Sequence, residues 1–92
     1  MMINGKPMSS ALYDQQIVTR FYMAVDALYA LGEIKSFRHF EREIGADHSV
    51  FYDLRKNERK RTFMHPAWLR HLVVTYSISA DWLLVGEGAM FR

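Results

Sequence analysis

The stretch Ser36-Phe37-Arg38-His39-Phe40-Glu41-Arg42-Glu43-Ile44-Gly45-Ala46-Asp47-His48-Ser49-Val50-Phe51-Tyr52-Asp53-Leu54-Arg55-Lys56-Asn57-Glu58-Arg59-Lys60 reads as two short helices around a tight turn at Gly45-Ala46-Asp47. In the first, Phe37, Phe40 and Ile44 recur at three- and four-residue steps and share one helical face. Ser36 suits its start, because a serine hydroxyl can accept from a free amide of the first turn. Gly45 stands where helices commonly end in a left-handed conformation that glycine adopts cheaply. Asp47 can cap the second helix, about 47–56, whose inward stripe is expected at Val50, Phe51 and Leu54. His48, Ser49, Tyr52, Asp53, Arg55 and Lys56 are then left facing outward or at the helix end. This layout is that of a helix-turn-helix, whose second helix can enter the major groove of DNA.

Before that stretch, Gln15 to Leu31 has a strong helical period. Ile17, Phe21, Ala24, Leu28 and Leu31 form one stripe, and Val18, Tyr22, Val25 and Tyr29 form a second. Ser9 or Ser10 is expected to cap this helix, or Asp14 to start it. Residues 1–10 read as a flexible arm and 11–92 as the folded domain. Two apolar stripes exceed what one small domain is expected to bury, so the second is expected either to meet another copy of the chain or to lie under the arm. Beyond the central stretch, Asn57 to Thr62 reads as a loop. Pro66 to about Tyr76 follows as a helix with Leu69, Leu72, Val73 and Tyr76 on one face. Ser79 can cap a last helix from Ala80 to about Val85 that buries Trp82 and Leu83, ended by Gly86-Glu87-Gly88 and followed by a tail. No two-residue alternation is present, and the predicted fold is an all-α, five-helix bundle.

Composition narrows the function classes. The 92 residues are 50% hydrophobic and 24% charged, which is globular and neither disordered nor membrane-like. Without cysteine, disulfides and thiolate metal sites are excluded. Met1 to Pro7 lacks the apolar run of a signal peptide, and no segment reaches membrane-spanning length, so a cytoplasmic setting and no membrane partner are expected. From Lys35 to Arg61, eight Lys/Arg face five acids, while the rest of the chain is slightly negative. The positive charge thus gathers on and just after the two-helix unit. His39, His48, His65 and His71 lack the spacing and companion ligands of a metal site, and no cofactor is expected. No nucleophile triad or glycine-rich phosphate loop is present, so no enzymatic activity is expected.

Two segments carry a family resemblance. Phe37 to Lys56 is one, with its Phe-x-x-Phe-Glu-x-x-Ile-Gly core. The other is Ile78-Ser79-Ala80-Asp81-Trp82-Leu83-Leu84-Val85-Gly86-Glu87-Gly88-Ala89-Met90-Phe91. The chain resembles the helix-turn-helix domain of phage-repressor-like regulators, often called the xenobiotic-response-element family, from about Ile17 to Phe91. The resemblance implies a lambda-repressor-like five-helix domain that reads operator DNA as a homodimer, a transcriptional regulator of prophage or mobile-element type. It places His48, Ser49, Tyr52 and Asp53 at base-facing positions, and Lys35, Ser36 and Arg38 where the preceding helix nears the backbone. The chain departs from the family pattern at Glu41, where many members have a small residue, and at Val85, where threonine is usual. Asp47 and Asp53 add negative charge beside the groove.

Arg55, Lys56, Arg59, Lys60 and Arg61 are suited to phosphate contact, since cations at a groove edge release counterions. Asp53 can accept from a cytosine amino group, or can pair with Arg55 or Lys56 and read nothing. A rival reading keeps the fold but not the DNA. In it, the chain is a protein-interaction module that binds through the first helix and is sensitive to Tyr22→Ala or Tyr29→Ala.

Overall fold

Five stretches have the apolar spacing of helices, and five helices form among the described residues. The computed structural model describes residues 8–57 and 64–92, with side chains from Gln15 onward. Within them lie α1 (Met8–Ala30), α2 (Phe37–Ile44), α3 (His48–Lys56), α4 (Pro66–Tyr76) and α5 (Ala80–Val85). Among the described residues no strand forms, and the one isolated bridge pairs Ile78 with Phe91.

The first helix starts earlier than expected. It runs through Ser9, Ser10 and Asp14, because Ala11 and Leu12 favour helix and no residue there breaks it. Residues 8–10 of the expected arm are therefore helical, and residues 1–7 lie outside the described set. The second apolar stripe is also corrected. Val18, Tyr22 and Val25 are buried, and of that stripe only Tyr29 is exposed. The reason is that α1 is the central helix. Phe21 meets Phe40 of α2, Phe51 of α3 and Trp68 of α4 at ring-centre distances of 6.1, 6.3 and 5.9 Å, while α1 also packs along α5. A helix with neighbours around most of its circumference buries both stripes. Leu31 is exposed instead of buried, since α1 ends at Ala30 and the chain turns away at Leu31-Gly32.

The expected caps form. The Ser36 hydroxyl accepts from the His39 amide at 3.0 Å, and Gly45 closes α2 at φ +68°. Asp47 accepts from the Val50 amide at 3.2 Å, and Ser79 from the Trp82 amide at 3.2 Å. Each cap satisfies an amide that has no partner within its own helix. Trp82 is only half-buried, whereas Leu83 is fully inside. The expected C-terminal tail folds back: the Ser79 amide donates to Met90 at 2.8 Å, and the Arg92 amide to Ser77 at 2.9 Å.

Candidate functional site

The α2–turn–α3 unit is anchored from beneath. Phe40 on α2 and Phe51 and Leu54 on α3 are buried, and the Tyr22 hydroxyl of α1 donates to the Phe51 carbonyl at 2.9 Å. Val50, expected inward, is 43% exposed. At about 100° per residue, the buried side of α3 is centred between Phe51 and Leu54, and Val50 falls at its margin. Arg55 falls at the opposite margin, equally far from the centre, and is sheltered by its neighbours. Its guanidinium lies 3.8 Å from the centre of the Phe37 ring and 3.4 Å from Asp26 of α1. The Phe37 ring in turn packs on Tyr29, with centres 4.9 Å apart. Arg55 thus joins α3 to α1 and α2.

The outward face of α3 presents His48, Ser49, Tyr52, Asp53 and Lys56. Lys56 lies 5.7 Å from the Tyr52 ring centre. Arg38 is exposed and shares the α2–α3 cleft with His48 and Tyr52, Lys35 is exposed just before α2, and the Ser36 hydroxyl makes its capping bond. Arg59, Lys60 and Arg61 lie outside the described residues.

The sequence reading did not foresee that Glu41 would be buried, at 4% exposure. Both its oxygens approach His48 Nδ1, at 2.9 and 3.1 Å, and Arg38 Nε lies 3.6 Å away. A buried carboxylate requires such partners, because desolvation penalises an isolated charge. The spacing was visible: Glu41 is four residues after Phe37 and three before Ile44, on the apolar face of α2. Between α2 and α3 is a cleft of about 280 Å³, lined by Phe37, Arg38, Glu41, His48, Tyr52 and Arg55 among others.

A second carboxylate joins α2 to α4. Glu43 accepts from Tyr76 at 2.7 Å and meets His71 at 2.9 Å and His39 at 3.2 Å. Partial burial opposes its ionised form, but the bonds from Tyr76 and His71 and the nearby imidazoles outweigh it. The Glu43 carboxyl is held below its ordinary value. Burial, and then the Glu43 charge, push the Tyr76 phenol up. His39 and His71 are thus gathered on one glutamate, and among the described residues no group of three His, Asp or Glu side chains is placed to hold a metal ion.

Family models, curated proteins and solved structures offer no match to this chain.

At the opposite end, Arg20 of α1 closes α5, donating to the carbonyls of Leu83 at 2.9 Å and Leu84 at 3.1 Å. Near it, exposed Val74 of α4 and Leu84 of α5 line a groove with Leu69, Val73 and Leu83. Among the described residues no helix is long and apolar enough to cross a membrane.

Proposed function

We propose that the chain is a sequence-specific DNA-binding transcriptional regulator, with α2 and α3 acting as a helix-turn-helix and α3 entering the major groove. One observation carries this reading: a short helix pinned from below at Phe51 and Leu54 turns five polar side chains outward, with Arg38 beside them. A rigidly held helix with polar residues at its start matches the shape and hydrogen-bonding pattern of the groove. Cations beside it match the phosphates. Arg42, exposed on α2, adds to that positive rim.

A helix of nine residues spans few base pairs, so specificity calls for two copies. We assign the second copy to the apolar α4–α5 groove, where Val74 and Leu84 are 61% and 46% exposed. A two-fold pair would read half-sites about one helical turn apart, roughly 34 Å. The same apolar face favours the rival reading, a protein-interaction module, if its partner is a different protein.

Selection from random double-stranded DNA, at low and then physiological salt, tests the assignment. The expected result is an enriched palindrome. Sequence-blind binding that disappears as salt rises would overturn it and leave the interaction module as the reading.

A further inference from the structure

We infer that Glu41 determines which ring nitrogen of His48 faces DNA, and so which class of base edge His48 reads. This deepens the DNA-reading assignment and rests on it. Glu41 is buried, and both its oxygens lie against His48 Nδ1, at 2.9 and 3.1 Å. An ionised carboxylate only accepts, so Nδ1 must supply the proton. In the neutral ring Nε2 is then left with a bare lone pair. It has no hydrogen-bond partner among the described residues, and half of the side chain is open to solvent. With Nδ1 turned toward α2, Nε2 occupies the outer edge of the ring, at the first residue of α3.

A bare Nε2 accepts from an exocyclic amino group, which in the major groove belongs to cytosine or adenine. Once the ring takes a second proton, Nε2 becomes a donor and matches the acceptors of guanine. Histidine is the side chain whose charge changes within the physiological pH range. The groups facing this ring are Glu41 and Arg38 from α2, Tyr52 on α3 with its ring centre 5.9 Å away, and Arg55 across the cleft, which Asp26 of α1 holds. Since Glu41 touches no base in this arrangement, it is a positioning residue. Its burial also keeps its own negative charge away from the phosphates.

Two measurements on the whole chain test this. The first is the pair of imidazole nitrogen shifts of His48 in the free, 15N-labelled protein at about pH 8. The expected result is a protonated Nδ1 and a bare Nε2; a protonated Nε2 with a bare Nδ1 would overturn the inference. The second is DNA selection at about pH 5.5 and about pH 8 with the wild-type protein, Glu41→Gln and His48→Ala. At one position of each half-site, the wild type is expected to favour cytosine or adenine at high pH and guanine at low pH, by about fivefold. Glu41→Gln should weaken that change, because an amide can donate to Nδ1 as well as accept from it and no longer fixes Nε2 as the bare nitrogen at high pH. His48→Ala should erase the preference at that position alone. Circular dichroism checks folding of each variant; should Glu41→Gln unfold, the wild-type pH change and His48→Ala decide the matter. The same base enriched at both pH values by the wild type overturns the inference and leaves DNA reading intact. Enrichment of no sequence at either pH overturns DNA reading, and this inference with it.

Discussion

The Tyr22 hydroxyl on α1 donates to the backbone carbonyl of Phe51 on α3 across 2.9 Å, within the buried core. That bond and the edge-on contact of the two rings, 5.1 Å between centres, fix the height of α3 above α1. Tyr22→Phe keeps the ring and the helical partner of the Phe51 carbonyl, so it should cost about 1 kcal/mol in urea denaturation. Tyr22→Ala removes a buried ring and should cost about 3–5 kcal/mol. A cost equal to that of an exposed tyrosine such as Tyr29 would contradict this packing. Tyr22→Ala is accordingly a test of folding, not of an outer surface on α1.

Glu43 and Tyr76 make stability depend on pH at both extremes. The carboxyl of Glu43 is depressed, so its contribution is present above the ordinary carboxylate value and is lost as pH falls through the lower folded value. The Tyr76 phenol is raised, so its contribution is present below about 10, the value of a free tyrosine, and is lost as pH climbs through the folded value. Chemical denaturation measured across pH should therefore show an acid limb that Glu43→Gln flattens. It should also show an alkaline limb that Tyr76→Phe flattens. Unchanged limbs in these variants would mean that the α2–α4 link contributes nothing.

Two glycines separate backbone strain from steric crowding. Gly45 has φ +68° with nothing within 4 Å of where a Cβ would be, so Gly45→Ala should cost only the left-handed backbone, about 1–2 kcal/mol. Gly86 has φ +78°, and its Cβ would approach Arg20 Nη1 to 3.2 Å. Gly86→Ala should cost more, because the displaced guanidinium also holds the Leu83 and Leu84 carbonyls. Thermal unfolding of both variants, with Arg20→Ala as background, checks this. The difference between the two glycines should vanish once Arg20 is gone.

Local chemistry was legible where a single residue type suffices. Ser36, Asp47 and Ser79 cap helices as their side chains permit, and Gly45 and Gly86 end them. Burial was harder to read, because it depends on how many neighbours a helix receives. The second stripe of α1 looks excessive until α2, α3, α4 and α5 are arranged around it. Val50 looks like core until the direction of approach to α3 is known. Charged residues were the least legible. Glu41 lies on an apolar face, and only folding brings His48 to it; Arg55 reads as an anion contact, and only folding sets Asp26 and Phe37 beside it.

That position of Arg55 separates it from its neighbour Lys56. Arg55→Ala removes a cation–π contact and a partly sheltered ion pair, and should lower stability by about 1 kcal/mol. Any loss of DNA affinity in that variant would mix misplacement of α3 with lost charge. Lys56 is exposed on the outward face and is expected to tolerate alanine within about 0.5 kcal/mol. Lys56→Ala is thus the cleaner probe of phosphate contact. If Lys56 neutralises one phosphate, its loss should weaken binding about equally across sequences and make the slope of log affinity against log salt shallower by about 1. Fluorescence anisotropy at several salt concentrations, on the selected site and on an unrelated duplex, measures both quantities. A slope unchanged by Lys56→Ala would remove this residue from the DNA contact, and a loss confined to the selected site would make it a base reader instead.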